Sequence, residues 1–190
     1  MFTVTSHNAN TLEVKQSKFI AHLVPYDRFN ETLENLKNEH PKARHFVSAF
    51  RYLNEYEQIV EGCSDDGEPR GTSGKPSLAV LSGYPLINIA LICVRYFGGT
   101  KLGTGGLVRA YGEAVKLVIE QSELIEYEKE HLHVIEFSYS STTQIEYILD
   151  KYGVKIVTKN FNANGAAYEI KAPINSLNHF YDEASRLVIN

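Results

Sequence analysis

The chain has two cysteines in 190 residues, Cys63 and Cys93, and no CxxC or other metal-type spacing between them. That leaves no basis for a disulfide framework, and a reducing cytoplasm is the expected compartment. Long apolar runs are missing too. The longest, INIALICV (Ile87–Val94), contains Asn88 and falls far short of the roughly 20 residues that span a bilayer. The first residues, MFTVTSHNANTLEV, show no charged segment followed by an apolar core, so no signal peptide is expected. A general excess of positive charge is absent as well. The formal net charge is −4, and the overall composition therefore carries no nucleic-acid signature.

The common catalytic signatures are also lacking. GxxxxGK[ST] fails because Leu102 follows Lys101, and the dinucleotide fingerprint fails because Gly103-x-Gly105-x-x ends on Val108. No GxSxG elbow or HExxH helix occurs.

What remains is an ordinary globular composition, 43% hydrophobic and 22% charged, long enough for one large domain or two small ones. KFIAHLVPY reads as a strand ended by Pro25, followed by a helix that Asp27 can cap and that places Phe29, Leu33 and Leu36 on one face. HFVSAFRYL and EQIVEGC read as strands around a polar turn, and SDDGEPRGTSGKP (Ser64–Pro76) as a loop. A short helix is expected over Ser77–Leu81, then a strand buried on both faces in LINIALICVRYF. Leu107, Tyr111, Ala114, Val115 and Val118 form the apolar stripe of a helix that starts near Gly105 or Gly106. From His131 the pattern becomes strand, helix, two strands joined across NANG, and a last helix reaching Leu187. This is a β-α-β-β-α order, ferredoxin-like with its final strand short or missing. Domains are expected at residues 1–128 and 129–190.

Two stretches hold the candidate chemistry. In RYFGGTKLGTGGLVRAYGEA, six glycines accompany Arg95, Lys101 and Arg109. From Arg70 to Ile119, Glu113 is the lone acid against six cations. Glycine is entropically costly, so this density calls for positive φ, close packing, or backbone amides turned towards an anion. A strand, a glycine turn and a helix N-terminus present free N–H groups and a positive dipole end, which suits a phosphate. The candidate anion or nucleic-acid contacts are Arg95, Gly98, Gly99, Lys101, Gly103, Gly105, Gly106 and Arg109. In the second stretch, Asp65, Asp66 and Glu68 admit three readings: a metal or acid–base set, simple turn chemistry, or ion pairs with Arg70, Arg95, Lys101 or Arg109 that lock the two loops together. Cys63 is either a small core residue or half of a dyad with His45.

SKFIAHLVPY, the H-x-x-A-x-H of His40–His45, SDDGEPRGTSGKP and RYFGGTKLGTGGLVRAYGEA together resemble the IMPACT/YigZ family over roughly Ser17 to Ala114. The resemblance implies an α+β protein of two domains. The first would have the left-handed βαβ fold of a ribosomal-protein domain and of domain four of elongation factor G, the second the fold of domain five. Eukaryotic members regulate translation by competing for an activator of a starvation-responsive kinase. The function expected is therefore a translation-associated binding protein that contacts RNA or a ribosome-associated protein through the glycine-rich turn. The alternative is a metal-dependent hydrolase or other small-molecule enzyme built on Asp65, Asp66 and Glu68. No cofactor and no membrane partner are expected, and the open edge of the C-terminal sheet allows a dimer.

Overall fold

The computed structural model describes residues 1–189 and falls into two units, Met1–Tyr127 and a second that begins at Glu128. The first opens with β1 (Phe2–Thr3), then a hairpin of β2 (Asn8–Val14) and β3 (Ser17–Pro25). A helix, α1 (Phe29–Glu39), leads to β4 (His45–Leu53), which turns back as β5 (Ile59–Ser64). Next come α2 (Gly74–Gly83), β6 (Ile89–Tyr96) and α3 (Thr104–Gln121), and β7 (Ile125–Glu126) pairs with β1.

The sheet order is β2-β3-β6-β4-β5, antiparallel throughout. Because β3 and β4 both run against β6, they are parallel to each other and are joined through α1, with β6 between them. That central place explains the continuous apolar sequence of β6: both of its faces are covered. On one face Leu81, Leu107, Tyr111, Ala114 and Val118 from α2 and α3 pack on Phe19, Ala21, Val47, Leu91 and Cys93. On the other, Leu36 of α1 packs on Phe46, Ile92 and Val94.

Two local expectations are corrected. Asp27 caps nothing: Tyr26–Arg28 form a single 3-10 turn, and α1 starts at Phe29 with no side-chain cap. The turn is held instead by Tyr26, whose ring stacks on Tyr52 with centroids 4.0 Å apart. The second helix spans Gly74–Gly83, longer than Ser77–Leu81, because Pro76 lies in its first turn, where no intrahelical N–H is needed.

The second unit comprises β8 (Glu130–Ser138), α4 (Thr142–Lys151), β9 (Lys155–Phe161), β10 (Gly165–Pro173), α5 (Ile174–Ala184) and β11 (Val188–Ile189). Its antiparallel sheet runs β11-β8-β10-β9, with Ile135, Phe137, Ile145, Leu149, Tyr168 and Phe180 in the core. The last helix ends at Ala184, not Leu187. Leu187 N–H closes a turn on the Ala184 carbonyl at 2.8 Å, and the β-branched Val188 and Ile189 pair with Phe137 and Glu136. The final strand is thus short but present. It leaves β8 partly unpaired, since only Phe137 and Glu136 of that strand meet β11.

Candidate nucleic-acid interface

The loop between β5 and α2 turns its acids inward. Asp65 Oδ1 accepts from Ser73 N–H at 3.1 Å, Ser73 O–H at 2.6 Å and Gly74 N–H at 2.8 Å, while Oδ2 accepts from Gly71 N–H at 2.7 Å. The carboxylate therefore fills the N-terminus of α2, where unpaired amides and the helix dipole favour negative charge. Partial burial opposes its ionisation, but the hydrogen bonds from Gly71, Ser73 and Gly74 outweigh that and hold the carboxyl at about 2. Asp66, at φ +42°, accepts Phe46 N–H on Oδ2 at 2.6 Å, and its carbonyl accepts His45 Nδ1–H at 2.8 Å. These bonds fix the start of β4.

Glu68 is buried. Its Oε1 accepts from Arg95 Nη1 at 2.6 Å and from the Tyr111 hydroxyl at 2.8 Å. Burial, reinforced by Cys93 and Glu68, pushes the Tyr111 hydroxyl upward, so it stays a donor. Of the ion pairs considered between the loops, this one forms. The three carboxylates face three separate partner sets, and among the described residues no group of three or more His, Cys, Asp or Glu converges on a metal position. The metal-hydrolase reading loses its site. The Cys63–His45 dyad fails as well: Cys63 lies opposite Ala49, four positions along β4 and about 13 Å from His45.

The glycine turn divides into an anchored part and an open part. Arg95 belongs to the anchored part: its buried guanidinium is tied to Glu68, so of the two expectations for it, phosphate contact and ion pair with a loop acid, the ion pair is the one formed. Gly98 belongs there too. Its N–H donates to Ser17 Oγ at 3.1 Å, and a Cβ on it would lie 2.0 Å from the Gln16 carbonyl carbon. This glycine is a close-packing device and not an anion ligand.

From Gly99 onward the situation reverses. No amide from Gly99 to Gly106 has a hydrogen-bond acceptor within the described residues, and the first internal bond is Leu107 N–H to the Gly103 carbonyl at 3.0 Å. Gly103, at φ +72°, sits at the cap of α3 with no side chain to fill it. Lys101 and Arg109 are exposed and have no acidic partner among the described residues. Arg109 Nη1 lies 3.9 Å from the position of a Cβ on Gly105, so its charge hangs over the first turn. Of the eight candidates, Gly99, Lys101, Gly103, Gly105 and Arg109 are exposed, while Gly106 is half-buried and a Cβ on it would lie 3.0 Å from Leu102 Cβ. Arg95 and Gly98 are instead packed inside the fold, on Glu68 and on Gln16–Ser17.

Two features escaped the sequence reading. A cavity of about 410 Å³ lies between the start of β4 and the end of β6, lined by Lys42, Arg44, His45, Arg95, Tyr96 and Phe97. The cations of EHPKARHF were the available signal, but only the pairing of His45 with Arg95 shows that they face the end of β6. An apolar groove of about 630 Å³ flanks α3 on Leu12, Val14, Val80, Leu102 and Val108. No helix among the described residues is long and apolar enough to cross a membrane.

Comparison with known proteins agrees with the motifs. Residues 15–119 match the Impact N-terminal domain. An IMPACT family member from Haemophilus influenzae is 38% identical over 159 residues, covering 80% of this chain and 75% of that one. YigZ of Escherichia coli, also an IMPACT family member, is 38% identical over 160 residues, covering 80% and 76%. A solved structure described as a hypothetical protein superposes with a TM-score of 0.74 at 30% identity, over 100% of this chain and 97% of the other. With its N-terminal domain matched over both long motifs and relatives similar over most of its length, the chain belongs to the IMPACT family.

Proposed function

We propose that this protein is a cytoplasmic, translation-associated binding protein that contacts RNA at the start of α3. One observation carries the reading: a run of unpaired amides from Gly99 to Gly106 lies beside two unpaired cations, Lys101 and Arg109. Backbone N–H groups, a helix N-terminus and flanking Lys or Arg are the donors that position phosphates without reading sequence. The translation role follows the resemblance to a family whose eukaryotic members regulate that process. Binding of a single strand is tested by fluorescence anisotropy across a salt series. Each neutralised phosphate contributes a slope of about −0.7 in log K against log salt, so three contacts give about −2. Lys101→Ala should weaken all sequences about equally and make the slope shallower by about 0.7. A slope near zero, or RNA binding indifferent to Lys101→Ala, removes the turn as the contact.

The apolar groove beside α3 favours a second reading, in which the partner is a ribosome-associated protein with an apolar segment. Binding to ribosomes that survives high salt and Lys101→Ala, yet is lost in Val108→Asp, would select it.

A further inference from the structure

The basic cavity between the start of β4 and the end of β6 stands apart from the amides of α3. Its walls carry positive charge and aromatic surface and no acid: Lys42, Arg44, His45, Arg95, Tyr96 and Phe97. Lys42 and Arg44 are exposed and have no acidic partner among the described residues. His45 donates its Nδ1 proton to the Asp66 carbonyl at 2.8 Å, which fixes its ring at the wall of the cavity. Asp66 is not among the lining residues, and its carboxylate accepts Phe46 N–H.

Arg95 forms the floor of the cavity. It is the one buried wall, 7% exposed, and of its three guanidinium nitrogens only Nη1 meets an acceptor, on Glu68. Its charge is met by Glu68 and its unpaired Nε is sealed from solvent, so it serves as a fixed cationic floor and the exposed walls are the ones a ligand would meet. Phe97 completes the site from the rim. It is 58% exposed although its neighbours in β6 are covered, and its ring centroid lies 5.9 Å from Arg95 Cζ. An exposed aromatic at the mouth of a cationic cavity is the arrangement that stacks a base while cations hold its phosphate. A volume of about 410 Å³ accommodates one nucleotide.

We infer that this cavity is a nucleotide pocket, taking a phosphate against Lys42 and Arg44 and a base against Phe97. It deepens the RNA reading and rests on it for the class of ligand. Phe97 and Gly99 lie two positions apart, so a strand whose phosphates cross the amides of α3 can place its next nucleotide in the cavity. A free mononucleotide offers the same chemistry, and the test separates the two sources.

The full chain is titrated with AMP, with inorganic phosphate and with a labelled oligoadenylate. Wild type is compared with Arg44→Ala, Phe97→Ala and Lys101→Ala, exposed positions whose folding a thermal melt verifies. AMP should bind more tightly than phosphate. Arg44→Ala should weaken both, whereas Phe97→Ala should weaken AMP by about fivefold or more and leave phosphate unchanged. Lys101→Ala should weaken the oligonucleotide alone. AMP that binds no better than phosphate, or that ignores both Arg44→Ala and Phe97→Ala, overturns the pocket. Oligonucleotide lost with Lys101→Ala but indifferent to Arg44→Ala and Phe97→Ala overturns the pocket while the turn stands. AMP bound with the expected sensitivities and no oligonucleotide bound at all supports a mononucleotide site and overturns the RNA reading. Absence of binding by all three ligands overturns both.

Discussion

The N-termini of α2 and α3 face the same electrostatic problem and resolve it in opposite ways. Each is entered through a glycine-rich loop and offers unpaired amides at the positive end of a helix. At α2 the chain supplies its own anion: Asp65 accepts from Gly71, Ser73 and Gly74. At α3 the cap is Gly103, nothing internal accepts, and the nearby charges are positive. The same contrast runs through both loops. Asp65, Asp66 and Glu68 are all engaged inside the fold, whereas Lys101 and Arg109 are both left free. A filled terminus is structure, and the unfilled one beside loose cations is where the proposed RNA contact lies.

The largest effect should come from the anchor beneath both loops. Glu68→Ala leaves Arg95 buried without a counter-charge and should cost about 3–5 kcal/mol in urea denaturation. Pairing Glu68→Leu with Arg95→Met should recover most of that, because an apolar pair needs no neutralisation.

Asp65→Ala should cost about 2 kcal/mol and empties the terminus of α2. The variant should then gain more thermal stability from sulfate, at matched ionic strength, than wild type does. Equal gains would show that the filled terminus never resembled the open one. Asp65 also predicts an acid response. Its carboxyl lies at about 2 in the fold against 3.8 for an ordinary aspartate, so its contribution is complete above pH 4 and is lost as pH falls through 2. That window is worth about 2 kcal/mol in wild type and should vanish from the pH-stability profile of Asp65→Ala.

Gly103→Ala forces a side chain to φ +72° and ψ 166° and should cost about 1–2 kcal/mol while weakening phosphate binding. The smallest change is expected from Asp66→Asn. Asparagine keeps the acceptor for Phe46 N–H and tolerates positive φ, so thermal melts should show a loss of no more than about 1 kcal/mol.

Much of the architecture is legible from periodicity alone. HFVSAFRYL is β4 residue for residue, and the stripe from Leu107 to Val118 is the buried face of α3. β2 is not legible, because NANTLEV offers only Leu12 and Val14 to its packed side and reads as polar chain. The roles of the loop residues are legible only in kind. Acids and cations at the right spacing announce that pairing is possible, but the sheet decides that Glu68 meets Arg95 and that Lys101 meets nothing. The walls of the basic cavity come from segments about fifty residues apart in sequence, a relation that no local pattern expresses.

The placement of β6 has a consequence for assembly. β2–β3 and β4–β5 are local hairpins, but neither can join the other until β6 arrives between them, as when Lys18 meets Tyr96. The first half of the chain therefore waits with two unsatisfied strand edges, and such non-local closure is slow and exposes an intermediate to aggregation. Substitutions that weaken β6 should slow refolding, and they should lower soluble yield more than equal losses of stability elsewhere.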